Sequence, residues 1–232
     1  MTPTDQSTAA VTLTRIRLNR RSPHVRRDLN RPDSLHKTVM LLAPDHLGEH
    51  PRQKAGLLFR LEEATRNTPP TLLVQTHTPP DLTRLPAAYG TTETRDLTPL
   101  LQALTAGRHV RYRITANASV RRRVPDGDPF FDTKPRHHDI PLYGDDALGW
   151  WQRKSTEAGL TLNSTGTTPA SFHRPVTKKS HSDQAPEAFR HVLTRFDGHA
   201  TITDPAQLHH ALLTGIGRGK PYGAGLLSLA PA

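Results

Sequence analysis

The chain has 232 residues and a net charge of +10, and 34% of it is hydrophobic. That apolar share supports a core but suits two small layered domains better than one thick one. The charge points to a polyanionic partner, and the arginines to phosphate oxygens, which guanidinium forks bind in pairs. Cysteine is absent, which excludes disulfide scaffolds, thiolate metal sites and cysteine nucleophiles. No apolar run reaches the roughly 18 residues of a membrane span. The polar first ten residues lack the basic-then-apolar order of a signal peptide. A soluble, cytoplasmic protein with no membrane contact is expected.

Residues 1–11 read as a disordered leader. Leu13, Thr14, Arg15, Ile16, Arg17 and Leu18 alternate apolar with polar, the pattern of a half-buried strand. A basic stretch, 20–31, carries Arg20, Arg21, Arg26, Arg27 and Arg31. A helix over 34–43 follows, with Asp33 or Ser34 as its cap; Leu35, Val39 and Leu42 share one face, and Pro44 stops it. Strands are predicted at 57–61 and 71–76, paired antiparallel across Pro69-Pro70. Residues 79–88 read as irregular or a short helix, and 91–97 as a weak strand. Strand, helix, strand, strand, helix-like piece, strand is the ferredoxin-like order.

The second half repeats that order with insertions. Residues 109–114 alternate as a strand, 119–138 form a basic loop, and 145–158 form a helix holding Trp150 and Trp151. A short strand is predicted at 159–162, a polar insertion at 163–185 and a strand at 189–196, with Ile202 closing its partner or turn. Asp204-Pro205 caps and starts a helix through Leu213, and the last strand covers 225–229. The fold class is therefore α+β, two tandem ferredoxin-like (RRM-like) domains. An N-terminal domain over 12–98 joins a C-terminal domain over 108–232.

Three features carry candidate chemistry. His36, read into the first turn of its helix, lies among cations and near backbone N–H groups that attract phosphate. A neutral imidazole there takes a proton from a ribose 2′-OH, and a protonated one gives a proton to a departing 5′-oxygen. Lys37 beside it, or Lys220, is a candidate for stabilising charge on the phosphate. The plainer reading is an exposed histidine, one of 14, beside a solvated basic loop. The second feature is the run from Gly215 to Leu227, in which five glycines (Gly215, Gly217, Gly219, Gly223, Gly225) accompany Arg218 and Lys220. Such a loop offers N–H groups as an anion nest. It lacks the Ser or Thr of a Walker loop and the preceding strand of a dinucleotide fingerprint, and its plainer reading is a flexible connection.

The third feature is the recurrence of cations in separate segments. Arg121, Arg122 and Arg123 follow the strand holding Arg111 and Arg113, and Arg174, Lys178 and Lys179 lie in the polar insertion. Aromatic residues make up only 5%, so grip on backbone phosphates fits better than stacking of unpaired bases. A folded, helical RNA is the matching ligand. No cofactor is expected and no metal: His137-His138 and His209-His210 are adjacent pairs that do not share a helix face, and Gly48 and Pro51 break the spacing of His46 and His50.

Taken together, these motifs make the chain resemble the CasE endoribonucleases, the repeat-RNA processing subunits of the type I-E CRISPR surveillance complex called Cascade. The resemblance runs from about Leu13 to the end. It rests on Leu13-Thr14-Arg15, Arg27-Asp28-Leu29, Pro32-Asp33-Ser34-Leu35-His36-Lys37, Leu58-Phe59-Arg60-Leu61-Glu62 and Leu73-Val74-Gln75-Thr76. Later come Tyr112 through Ala118, Trp150 through Lys154, Gly215-Ile216-Gly217 through Lys220, and Gly223 through Pro231. It implies two ferredoxin-like domains and metal-independent cleavage of CRISPR repeat RNA at the base of its hairpin, giving mature crRNA. The products would carry a 2′,3′-cyclic phosphate and a 5′-OH.

The resemblance places the family's active-site histidine at His36. Where some members have a tyrosine, this chain has Asp33. Residues 172–180 match the family's stem-gripping hairpin by position and charge. The resemblance also implies that the protein keeps its cut crRNA and joins the other Cascade subunits through it. Arg26, Arg27, Arg31, Arg113, Arg121, Arg122, Arg174, Lys178, Lys179, Arg218 and Lys220 are the expected RNA contacts. A subunit that binds the hairpin without cutting it, and a general nucleic-acid architectural protein, remain open beside this reading.

Overall fold

The computed structural model describes residues 11–123, 137–163, 170–177 and 188–232. In chain order these are β1 (Thr12–Leu18), α1 (Pro23–Asn30), α2 (Pro32–Met40), α3 (Pro51–Lys54), β2 (Leu58–Glu62), β3 (Thr71–Thr76), β4 (Gly90–Asp96) and α4 (Thr98–Gln102). They continue with β5 (His109–Ala116), β6 (Ser119–Arg123), β7 (His137–Pro141), α5 (Gly144–Glu157), β8 (Leu160–Leu162), β9 (Ala170–Thr177), β10 (Ala188–Ile202), α6 (Pro205–Thr214) and β11 (Leu227–Pro231). Single 3-10 turns lie at Asp45–Leu47, Leu82–Arg84 and Lys220–Tyr222.

The first sheet runs β2-β3-β1-β4 and the second β11-β5-β10-β8, with β9 added beside β10. Each puts the module's first and third strands at the centre, the antiparallel ferredoxin-like arrangement. In the first module the second helix is reduced to the 3-10 turn Leu82–Arg84.

One face of the first sheet packs Ile16, Leu18, Phe59, Leu72 and Val74 against Val25 of α1 and Leu35 and Val39 of α2. The inward hydroxyls of β1 are satisfied across the strands: Thr12 bonds Thr76 at 3.0 Å and Thr14 bonds Thr94 at 2.9 Å. The second core centres on Trp151, stacked on Phe196 at 5.6 Å between centroids, with Ile114, Leu160 and Leu208 around them.

The outer face of the first sheet carries the junction between the modules. Arg60, 2% exposed, pairs with Glu62 at 2.7 Å. It also donates to the carbonyls of Arg113 (3.1 Å) and Leu226 (2.8 Å) and to Ser228 Oγ (3.0 Å). Gln75 Nε2 donates to the Leu212 carbonyl at 2.8 Å. Two side chains of one sheet thus satisfy backbone groups of the other module, which fixes how the modules meet.

Several expectations are corrected. α1 lies inside the stretch read only as basic, and it buries Val25 and Asp28. α2 begins at Pro32 with Arg31, not Asp33 or Ser34, in the cap position, because proline supplies the helical φ of a first residue without needing an N–H partner. The loop expected at 119–138 is in part the hairpin β6–β7, pairing Ser119 with Pro141 through Arg123 with His137. β10 is one strand through Asp197 and Gly198 to Ile202, because β5 pairs with it from Thr194 to Thr201. Residue 11, assigned to the leader, is buried Val11, whose carbonyl accepts from Leu97 N at 2.7 Å. The rest of that leader lies outside the described residues, as do 124–136 of the expected basic loop and 164–169 and 178–187 in and after the expected polar insertion.

Candidate active site

α2 is held from beneath by a buried carboxylate. Asp28 of α1, 1% exposed, accepts from Thr38 Oγ1 of α2 at 2.6 Å, from the Tyr89 hydroxyl at 2.9 Å and from Arg27 Nε at 2.9 Å. A fully bonded buried carboxylate fixes its partners strongly. Burial, with the Asp28 charge beside it, pushes the Tyr89 hydroxyl far above its ordinary pKa. Thr38, the α2 residue that this anchor holds, lies two residues from His36 on the same helix.

With Pro32 at the first helical position, His36 falls in the second turn rather than the first. The unpaired N–H groups of the helix start, and the field that fades within one turn, therefore do not account for its environment. A hollow of about 220 Å³ does: it is lined by His36, Met40, His50, Arg52, Gln53 and Pro221. His36 is half-buried. Its Nδ1 is sealed from solvent with no hydrogen-bond partner among the described residues. Burial first, and the Arg52 guanidinium second, push its pKa below the ordinary histidine value, so the imidazole is neutral at pH 7.

The glycine-rich run supplies the opposite wall, since the turn Lys220–Tyr222 packs on α2. Its conformation differs from an open anion nest. The N–H groups of Ile216, Tyr222, Gly223, Ala224 and Gly225 bond the carbonyls of Gly225, Gly219, Lys220, Gly219 and Thr115. Two glycines are required by close approach: a Cβ on Gly223 (φ +84°) would stand 3.1 Å from the Phe59 ring, and one on Gly225 (φ +89°) 2.7 Å from the Ile216 carbonyl oxygen. The folded-back run brings Pro221 to the hollow's wall, and for Lys220 next to it burial and then the Arg52 charge lower the pKa.

The other expected residues distribute as follows. Lys37 is exposed and is not among the residues lining the hollow. Asp33 pairs with Arg31 at 3.2 Å. Arg27 pairs with Asp28, Arg113 with both Glu62 and Asp197, and Arg218 with Asp139 of β7. Arg26, Arg121 and Arg122 are exposed and have no carboxylate partner among the described residues. Arg174 is on β9, opposite His191, and the backbone of β9 lies beside α2. Lys178 and Lys179 lie outside the described residues. Among the described residues no three of His, Asp and Glu group as metal ligands would, and no helix is long and apolar enough to cross a membrane.

Sequence reasoning weighs His50 only as half of a rejected metal pair with His46, and does not single out Arg52 or Gln53. Gly48 and Pro51 forbid a long helix in their segment, yet α3 is a single turn that Pro51 starts. The signal that could have found them is Pro-Arg-Gln-Lys placed directly before a strand.

Fold and site together define a tandem ferredoxin-like protein with a neutral histidine facing cations at the joint between modules. Over residues 12–231 the chain matches the family described as CRISPR associated protein. It is 30% identical over 224 residues to the CRISPR-associated endoribonuclease Cse3 of Thermus thermophilus, covering 94% of this chain and 99% of that protein. It is similar to the structure of CRISPR endoribonuclease Cse3 bound to 19 nt RNA, with TM-score 0.78 and 29% identity over 96% of this chain and 100% of the other. It is also similar to a chain of a CRISPR RNA-guided surveillance complex, pre-nicking, with TM-score 0.68 and 36% identity over 95% of this chain and 100% of that one. The chain belongs to the CRISPR associated protein family.

Proposed function

We propose that this protein is an endoribonuclease that cuts CRISPR repeat RNA at the base of its hairpin to release crRNA. The observation that carries the reading is the neutral, half-buried His36 in a hollow with Arg52, beside the turn Lys220–Tyr222. The similarity to Cse3, named an endoribonuclease and solved with RNA, including an RNA representing a pre-cleavage complex, supports it.

In this reading His36 Nε2 takes the proton of the 2′-OH, since Nδ1 is sealed away. The 2′-oxygen bonds to phosphorus and the bond from phosphorus to the 5′-oxygen breaks. The proton ends on the departing 5′-oxygen, leaving a 2′,3′-cyclic phosphate and a 5′-OH. The nearby cations hold the charge that the phosphorane gains. Lys37, exposed beside the histidine, contacts the flanking backbone in this reading. Arg26, Arg121 and Arg122 are exposed cations available to the RNA, and in this reading Arg174 of β9, Lys178 and Lys179 join them. The same reading makes the protein a cytoplasmic subunit that keeps its crRNA and meets the other Cascade subunits through it, in line with its similarity to a chain of a surveillance complex.

The test is incubation with a labelled repeat hairpin, with and without EDTA. Cleavage that persists in EDTA and is lost in His36→Ala, with hairpin binding retained, is expected. Full-rate cutting by His36→Ala overturns the assignment, and loss of activity in EDTA overturns a mechanism without metal. A protein that binds the hairpin and leaves it whole is a binding subunit instead.

A further inference from the structure

Among the described residues, the buried and half-buried cations follow a pattern that breaks at one place. Arg15, Arg60, Arg84, Lys154 and Arg195 each meet a carboxylate. Arg52 and Lys220 have no carboxylate partner among the described residues, although both are half-buried. Arg52 and His36 line one hollow with Pro221, and Lys220 precedes Pro221 in the turn that packs on α2. Two half-buried like charges lose hydration and repel each other, and an anion between them relieves both costs.

Arg52 is also held in place. Its Nη1 donates to the Leu57 carbonyl at 3.2 Å, and Leu57 N donates back to the Arg52 carbonyl at 2.9 Å. The side chain is thus tied to the residue that leads into β2, whose pairing with β3 is part of the rigid sheet. One of the guanidinium's five N–H donors is occupied by that tie, and the rest are left for a ligand.

We propose that Arg52 is a catalytic residue: its guanidinium, with the Lys220 ammonium, holds the non-bridging oxygens of the scissile phosphate against His36. The proposal rests on the reading of His36 given above. A phosphodiester carries one negative charge, and the phosphorane formed by 2′-oxygen attack carries a second once the proton has gone to His36. A planar fork already fixed by Leu57 meets that charge without reorganising, which is where such stabilisation is largest. Before RNA arrives the same charge adds to burial in keeping the imidazole unprotonated and ready as a base. Arg52 reaches the site from α3, an element apart from the histidine helix and from the glycine-rich run.

The experiment compares Arg52→Gln and Arg52→Lys with the unaltered protein and His36→Ala. It measures single-turnover cleavage of a repeat hairpin, binding of the same hairpin blocked by a 2′-deoxy at the cut site, and the NMR titration of His36. Arg52→Gln is expected to slow cleavage about 10²-fold, with Arg52→Lys between the two. Binding of the blocked hairpin stays within about threefold, since one phosphate contact among many is altered. The His36 titration moves to higher pH in Arg52→Gln, a change that a purely structural role does not produce. Inorganic phosphate shifts the His36 ring resonances of the unaltered protein toward those of imidazolium. An unaltered rate in Arg52→Gln while His36→Ala is inactive overturns the role of Arg52 and leaves the function standing. Full activity in His36→Ala overturns the function and this inference with it. A rate loss matched by an equal loss of blocked-hairpin binding, with the His36 titration unmoved, overturns the proposal. So do His36 resonances that ignore phosphate, whatever the variants do.

Discussion

Replacing Arg60 by methionine keeps an apolar stem in the junction and removes the guanidinium. The carbonyls of Arg113 and Leu226, and Ser228 Oγ, then lose a donor at a site where the native side chain is 2% exposed. An unsatisfied buried acceptor costs about 1–3 kcal/mol, so two carbonyls cost about 2–6 kcal/mol. Part of this is offset because a charge no longer has to be stripped of water. Glu62, 22% exposed, keeps Arg113 as a partner at 3.2 Å. The expected net loss is about 2–4 kcal/mol, a large share of the roughly 5–15 kcal/mol that holds a typical domain folded. Urea unfolding followed in two ways reads it. Trp150 and Trp151 both report on the second core, whereas far-UV circular dichroism reports on both modules. The two probes should coincide in the native protein and separate in Arg60→Met, with the first module melting earlier. Coincident transitions displaced by less than about 0.5 kcal/mol, the size of an ordinary surface change, would refute the view of Arg60 as the pin of the junction.

Three further outcomes are expected. Asp28→Ala leaves the buried Thr38 and Tyr89 hydroxyls without their acceptor; it should cost about 2–4 kcal/mol in urea unfolding and slow cleavage by loosening α2, and an unaltered midpoint would count against the anchor. Gly225→Ala should cost about 1–3 kcal/mol from its positive φ alone, with more from the Ile216 carbonyl, and a melting temperature equal to the native one would contradict that. Burial lowers the pKa of His36 and of His77, the latter partly opposed by its hydrogen bond with the Leu213 backbone. The unfolded chain therefore binds more protons below about pH 6.5. Their contribution to stability is full above that pH and is lost as the pH falls toward the lower folded values. Stability measured from pH 8 to 5 should fall less steeply in His77→Leu, and an identical slope would show that His77 is not part of the effect.

Much of the fold is legible because the strands obey a period of two under strong burial. β1 and β5 alternate cleanly, and α5 and α6 announce themselves by an aromatic face and an Asp-Pro start. Asp204 caps α6 through Ala206 N and Gln207 N, both at 3.0 Å. α1 is hidden because its buried side is narrow and includes a carboxylate, Asp28, whose partners lie 10 and 61 residues away. The hairpin β6–β7 is masked because three arginines read as solvent-facing loop. At the site, His36 and Lys220 stand out from charge and glycine spacing. Arg52 does not, since its relation to them exists only after β2 has paired with β3 and the glycine-rich run has folded back on α2.

The carboxylates that neutralise Arg27, Arg31, Arg113 and Arg218 bear on how tightly this chain should hold RNA in salt. A cation already paired within the protein releases no counterion from the nucleic acid when it docks. The salt dependence of binding then follows the unpaired cations alone, at roughly 0.7–0.9 of a logarithmic unit per phosphate neutralised. A protein of net charge +10 built this way grips RNA with fewer, better-placed charges than its composition suggests. Its preference for the right hairpin over other polyanions should therefore survive at the ionic strength of a cell.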